Sequence, residues 1–350
     1  MGTPLRISLY NSERGFNAAP GQTLLDAALG AGLNVPHSCV GGNCGSCRAR
    51  LLEGEIYYPN GRPLGLSDAE MADGFMLLCQ ARARSDLSIE TYEIATPEQS
   101  IIKRLPARIE RAIPLSHDVM GLYLRLPAAE EFRFEAGQYI DIMLPGGRRR
   151  SFSIASPPHD SRLLELHVRK VAGGEFSARL FDDDMRSALL RIEGPLGQFV
   201  YRASHDAAPM LLIGGGTGLA PLLSILRHVI ENGIEREMIL YWGVRSEHDL
   251  YAHAGLEEFA GRAKLRYIPV LSEPSPEWRG ARGWVHEAAL GDIGDLGRYQ
   301  VYAAGPPAMI AAVRREFGVR GFDTRRLFFD SFDYAPDSPP RQATSAATKS

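Results

Sequence analysis

The sequence predicts a multidomain chain: a small α+β domain, then an antiparallel β-barrel, then an α/β domain with a doubly wound parallel sheet. Three observations predict it. Short alternating strands and one short helix fill the first hundred residues. From about Lys103 to Tyr201 the pattern is all β, with Pro-Gly, Gly-Gly and Pro-Pro pairs between short runs. After Ala208 continuous apolar strands alternate with helical stretches. The length of 350 residues fits, at roughly 100–200 residues per domain.

The elements follow in order. Leu5–Tyr10 alternates apolar and polar residues, a strand pattern. Thr23 is placed to cap a helix whose residues Leu24, Leu25, Ala28 and Leu29 recur at helical spacing, with Gly32 as its stop. Arg48–Leu52, Glu55–Tyr58 and Leu87–Tyr92 read as strands, and Ser67 with Glu70 reads as a capping box. Ala95–Gln99 reads as a linker. The barrel strands are Ala107–Ala112, Gly121–Leu126, Tyr139–Leu144, Arg150–Ala155, Leu163–Val171 and Leu189–Gly194, with a helix near Ser177–Phe181. Buried parallel strands are expected at Met210–Ile213, Met238–Trp242, Leu265–Val270 and Gln300–Ala304, and a helix at Leu219–Ile230 that ends on Asn232-Gly233. The tail from Ala335 has little to bury and is expected to be disordered. The boundaries are therefore 1–95, a linker at 96–103, 104–204, 205–334, and the tail 335–350.

Composition excludes several classes. The chain is 45% hydrophobic and 23% charged, unlike a disordered protein. A net charge of -3 argues against a broad nucleic-acid or anionic-membrane surface. No run approaches the ~18 uninterrupted apolar residues of a membrane helix. Met1–Arg6 shows no secretory pattern, so a cytoplasmic location is expected.

Three of the four cysteines fall close together, Cys39, Cys44 and Cys47, and Cys79 follows far downstream. The C-x4-C-x2-C…C spacing is that of a plant-type [2Fe–2S] site, in which four thiolates hold two irons. Gly41, Gly42 and Gly45 let backbone N–H groups approach the sulfurs. The alternatives are zinc or free buried thiols, but structural zinc usually shows two C-x2-C pairs and the second is missing. On these residues, 1–95 resembles a plant-type ferredoxin domain, which implies the β-grasp fold.

Arg150-Ser151-Phe152-Ser153 resembles the R-x-Y-S motif of the ferredoxin–NADP reductase superfamily. The resemblance implies that Arg150 pairs with a flavin phosphate, Phe152 packs on the flavin and Ser153 contacts the ring system near N5. Phe152 departs from the usual tyrosine and lacks its hydroxyl. Arg148 and Arg149 read as a solvated basic turn. Gly173-Gly174-Glu175-Phe176-Ser177 resembles the second flavin segment, with the FAD pyrophosphate at Gly174–Ser177.

Gly214-Gly215-Gly216-Thr217-Gly218-Leu219-Ala220-Pro221 follows a buried strand and opens a helix, where a dinucleotide pyrophosphate binds. It departs from G-x-G-x-x-G and resembles the G-G-G-T-G-x-x-P loop of the same superfamily, which implies nicotinamide binding at Gly215, Gly216, Thr217 and Gly218. Arg245 and Glu247 follow the second strand, where an adenosine ribose would lie; the overall resemblance favours NADH over NADPH. Gly305-Pro306, with Met309, resembles the Y-x-C-G-P-x-x-M segment beside the nicotinamide. Ala304 departs from the cysteine many relatives carry there, which implies slower or less selective hydride transfer. Phe332, in the terminal aromatic region, covers the flavin in this resemblance or packs in the core.

The order ferredoxin, flavin barrel, nicotinamide domain is similar to the reductase components of bacterial multicomponent oxygenases. It implies a monomer carrying [2Fe–2S] and FAD that passes electrons from NADH to a terminal oxygenase or intermediate ferredoxin. Hydride delivers two electrons, a cluster takes one, and a flavin reconciles the two. The glycine-rich surface around Cys39–Cys47 is the expected docking face, while Asp182-Asp183-Asp184 reads as a solvated turn. Two other functions stay open: a CDP-6-deoxyglucoseen-type reductase of deoxysugar synthesis, and a redox-sensing iron–sulfur module whose reductase half is inactive, hinted at by Phe152 and Ala304.

Overall fold

The computed structural model describes residues 3–10, 12, 14–33, 35, 37, 41–42, 45, 47–91, 102–182, 185, 187–203, 208–323 and 326–331. The chain divides near residue 98 into two units. The expected linker at Ala95–Gln99 and the tail from Ala335 lie outside the described residues.

The first unit contains β1 (Leu5–Leu9), β2 (Gly15–Ala18), α1 (Leu24–Gly30), β3 (Arg48–Glu53), β4 (Ile56–Tyr57), α2 (Asp68–Ala72), β5 (Phe75–Leu77), β6 (Arg82–Ala83) and β7 (Leu87–Glu90). Its main sheet has the order β2-β1-β7-β3-β5, with β1 and β7 parallel; β4 and β6 form a separate pair. Alternation puts Ile7, Leu9, Phe16, Ala18, Leu87 and Ile89 in one core with Leu24, Leu25 and Ala28 of α1. Thr23 caps α1 by accepting the Asp26 N–H at 3.1 Å, and Gly32 (φ +75°) turns the chain out of it. The first two donors of the helix are used structurally. Leu24 N–H reaches the Ala81 carbonyl at 3.0 Å and Leu25 N–H the Leu78 carbonyl at 2.9 Å. α1 thereby grips the turn that carries Cys79. Ser67 and Glu70 form the expected capping box on α2.

The second unit begins with β8 (Lys103–Pro114), β9 (Val119–Arg125), β10 (Tyr139–Met143), β11 (Arg149–Ser153), β12 (Leu163–Arg169), α3 (Glu175–Phe181) and β13 (Leu189–Leu196). The strands form one antiparallel sheet, β11-β10-β13-β8-β9-β12. An Ile154–Leu166 bridge links the β11 end to β12 at the other edge, so the sheet curls round on itself.

The chain continues through β14 (Met210–Gly215), α4 (Leu219–Glu231), β15 (Met238–Val244), α5 (His253–Arg262), β16 (Leu265–Leu271), β17 (Ala281–Arg282), α6 (Val285–Asp292), β18 (Gln300–Gly305), α7 (Pro307–Val319) and β19 (Leu327–Ser331). These strands make a parallel sheet ordered β17-β16-β15-β14-β18-β19. Successive side chains face opposite sides: Leu212 and Leu240 pack with α4, Ile213 and Tyr241 with α6 and α7. The strand order reverses between β14 and β18, and at such a switch point ligands bind at the carboxyl ends of the strands.

A mostly buried carboxylate joins the antiparallel sheet to helix α4 of the parallel-sheet part. Glu165 on β12 accepts from His167 Nε2 at 3.1 Å and pairs with Arg227 of α4. Burial alone would raise the Glu165 carboxyl, but His167 and Arg227 outweigh it and hold it at about 2 against an ordinary 4.5. Depressed in the fold, this carboxylate stabilises above the unfolded value and ceases to as pH falls from 4.5 toward 2, a contribution of about 3 kcal/mol. Thermal unfolding followed against pH should show that loss, and Glu165→Gln should flatten it.

Candidate functional site

In the first unit, Cys47 and Cys79 are buried at 2% and 3% exposure. Cys79 N–H donates to Cys47 Sγ at 3.4 Å, and Leu78 N–H bonds the Cys47 carbonyl at 2.9 Å. A backbone amide on a sulfur is the environment a cluster thiolate requires. Gly42 and Gly45 both have positive φ, and a Cβ on Gly42 would stand 2.7 Å from Gln80 Cγ. Burial, then the nearby Cys47 and Cys79 thiols, raise the Tyr58 phenol. Cys39 and Cys44 lie outside the described residues. The described half of the ligand set fits a cluster.

In the second unit, β11 carries the Arg150–Ser153 motif. Ser153 is buried, and its hydroxyl donates to Asp330 Oδ2 on β19 at 3.4 Å. Asp330 stands in register with Ala304 of β18, which pairs with Gly214 of β14. β11 therefore meets the switch point of the parallel sheet. Beside Asp330, the buried Ser331 hydroxyl has no hydrogen-bond partner among the described residues, a polar group left for a bound molecule. Asp330 was not singled out from sequence. Its signal is a carboxylate directly after the apolar run Leu327–Phe329. Phe332 lies outside the described residues.

Arg150 is half-buried on β11. Phe152 packs against Phe176 of α3, ring centres 5.6 Å apart. Gly174 is the N-cap of α3 and no side chain caps it. The buried Ser177 hydroxyl accepts from Val171 N–H at 3.2 Å and donates to the Gly174 carbonyl at 3.1 Å, so it shapes the turn. The basic run needs correction. Arg149 is not solvated: alternation turns it away from Arg150 to a buried pairing with Glu193 and, at 3.5 Å, Asp141. Arg148 bonds Glu175 at the start of α3 at 2.7 Å. Arg149→Met would leave two buried carboxylates short of a cation, and the resulting loss of about 3 kcal/mol should appear in chemical denaturation.

The Gly214–Gly218 loop is built by close contact. A Cβ on Gly218 would stand 2.0 Å from the Ala304 carbonyl oxygen. One on Gly215 would stand 2.6 Å from Met309 Sδ, and one on Gly305 2.6 Å from Met309 Cε. The loop after β14 and the Gly305-Pro306 turn before α7 thus interlock, with Thr217 buried between β14 and α4. Arg169 reaches across from β12: a Cβ on Gly216 would lie 3.0 Å from its Nη1. Ala304 is fully buried with Leu219 and Leu222. At the end of β15, Arg245 is exposed, while Glu247 is turned onto Ser275, accepting its N–H at 3.1 Å and its hydroxyl at 2.6 Å. The Ser275 hydroxyl is the first cause holding the Glu247 carboxyl below its ordinary value.

Comparison with known proteins agrees with this division. Residues 8–84 match the 2Fe-2S iron-sulfur cluster binding domain, 106–201 the oxidoreductase FAD-binding domain and 212–315 the oxidoreductase NAD-binding domain. The CDP-6-deoxy-L-threo-D-glycero-4-hexulose-3-dehydrase reductase of Yersinia pestis is 37% identical over 330 residues, covering 94% of this chain and 98% of that one. The aromatic O-demethylase reductase subunit of an Amycolatopsis species is 37% identical over 325 residues, 91% and 96% of the two chains. The crystal structure of the Amycolatopsis cytochrome P450 reductase GcoB superposes with a TM-score of 0.73 at 36% identity, covering 94% and 98%. With all three domains in one chain and relatives matched end to end, the chain belongs to the family of iron–sulfur flavoprotein oxidoreductases that includes the reductase components of oxygenases and the hexulose dehydrase reductases.

Proposed function

We propose that this protein is a cytoplasmic, monomeric reductase that takes electrons from NADH and delivers them singly to a protein partner, a terminal oxygenase or an intermediate ferredoxin. The observation that carries the reading is the Ser153–Asp330 contact, which sets the flavin strand against the nucleotide-binding end of the parallel sheet. Its parts are a β-grasp domain at 1–95, a linker from 96 that gives way to β8 at Lys103 rather than after it, a flavin barrel reaching 204 and a doubly wound nicotinamide domain at 205–334.

FAD, when bound, accepts a hydride's two electrons and releases them one at a time to a [2Fe–2S] centre. The chain's residues position and insulate. Arg150 and the N–H groups at Gly174–Ser177 would hold the FAD phosphates, with Phe152 packing at the ring and Phe332 covering it. Ser153, oriented by Asp330, would direct its hydroxyl at the flavin edge that receives hydride. Gly215, Gly216, Thr217 and Gly218 would take the nucleotide pyrophosphate, Arg245 the adenosine end, and Gly305 and Pro306 the nicotinamide. Cys39, Cys44, Cys47 and Cys79 would hold the cluster.

A second acceptor is favoured by the 37% identity that spans 98% of the hexulose dehydrase reductase: a dehydrase with its sugar nucleotide bound. Anaerobic NADH should bleach the flavin and then generate a reduced-cluster EPR signal. Cytochrome c reduction should follow. A flavin that keeps its colour under NADH would sink the electron-transfer reading and favour the redox-sensing module.

A further inference from the structure

The buried Trp242 and its neighbours have no part in the function above. The Trp242 indole N–H donates to the Gly216 carbonyl at 2.9 Å. Trp242 is fully buried on β15 and receives the ring of Tyr251 edge-on, with centres 5.0 Å apart at 79°. The Tyr251 hydroxyl shares a 3.0 Å hydrogen bond with His167 Nδ1, and these rings are also perpendicular, at 88°. His167 is held from its other nitrogen by Glu165 at 3.1 Å. A continuous chain therefore runs from β12 of the flavin-binding sheet to the nucleotide loop. α4 is fastened to the same side: Ser224 Oγ donates to the Ser156 carbonyl at 2.8 Å and Arg227 Nη1 to the Ala155 carbonyl at 3.0 Å.

The target of this chain is one peptide plane. Gly216 has φ +55°, the left-handed conformation in which glycine peptides turn over readily. Its carbonyl belongs to the same planar trans unit as the Thr217 N–H, so the two point in opposite directions. Holding the carbonyl on the indole, together with the Leu219 N–H that also reaches it, turns the Thr217 N–H away from Trp242. The reversed plane would offer oxygen where a phosphate needs hydrogen. We propose that Trp242, Tyr251 and His167 are positioning residues that lock the Gly216–Thr217 peptide in the orientation an anionic nucleotide requires. This rests on the reading that the Gly214–Gly218 loop holds the nicotinamide nucleotide pyrophosphate.

The test is steady-state NADH-ferricyanide kinetics on the FAD-loaded full-length protein. Trp242→Phe, which loses the indole donor, should raise the NADH KM by about tenfold, the worth of one buried hydrogen bond. Tyr251→Leu, which loses the ring on the indole, should match it, and Tyr251→Phe, which keeps the ring and loses only the hydroxyl, should raise KM by about threefold. The kcat at saturating NADH and the FAD content should stay at wild-type values, a split that general loosening would not produce. Gly216→Ala tests the loop itself. If Gly216→Ala raises KM while Trp242→Phe and Tyr251→Leu do not, the positioning proposal is overturned and the loop reading stands. An unchanged KM in Gly216→Ala overturns the loop reading and the proposal with it. If Trp242→Phe does not fold, the two Tyr251 variants decide, and FAD loss without a KM change counts against the proposal.

Discussion

Cys79→Ser should abolish NADH-driven reduction of cytochrome c while ferricyanide reduction continues. A small two-unit chain makes this separation sharp. Cys79 belongs to the unit that ends near residue 98, and the flavin and nucleotide segments belong to the other. Loss of one of four thiolates opens the coordination of one iron, so the visible absorption and EPR signal of the cluster should vanish together. The turn around Cys79 should survive, because its carbonyls at Leu78 and Ala81 are bound by α1 and not by the thiol. Circular dichroism of the variant checks that point. Equal loss of both acceptor activities would mean that Cys79 supports the fold as a whole, against the cluster reading.

Asp330→Asn and Ser153→Ala should each slow flavin reduction at saturating NADH by about 10²-fold, the cost of misplacing a reacting pair by around an ångström. Neither should alter cluster absorption, since both residues lie in the second unit. The Ser153 hydroxyl has a single direction available while Asp330 accepts its proton. With asparagine at 330 the amide can present a donor instead, and the serine is free to turn. Stopped-flow flavin bleaching measures the effect directly. Unchanged rates in both variants would show that the Ser153–Asp330 contact only joins the sheets.

Much of the architecture was legible in the sequence because burial leaves a period. β14, β15, β16 and β18 were readable as apolar runs, and α1 and α4 by their caps and helical spacing. Strands β2, β5, β6, β17 and β19 were not, because none extends into a longer patterned run as β1 does, and each is held as a strand by its neighbours in the sheet. The site divided in the same way. Glycine loops and cysteine spacing are local patterns. Asp330 acquires meaning only when β19 pairs with β18, a contact between segments distant in sequence from Ser153. Arg149 and Arg150 are adjacent in sequence, and only the register of β11 separates a buried ion pair from a candidate phosphate ligand. Glu247 looked available for a ribose until Ser275, from a different loop, took its carboxylate.

The touch between Gly218 and residue 304 has a consequence for how such chains diverge. What position 304 presents to the nucleotide loop is its carbonyl oxygen, an atom every amino acid possesses. The glycine side of the contact is frozen, since any added carbon would collide at 2.0 Å. The other side is not read through its side chain. A residue exchanged at 304 leaves this contact as it is, and its side chain answers instead to the core space it shares with Leu219 and Leu222.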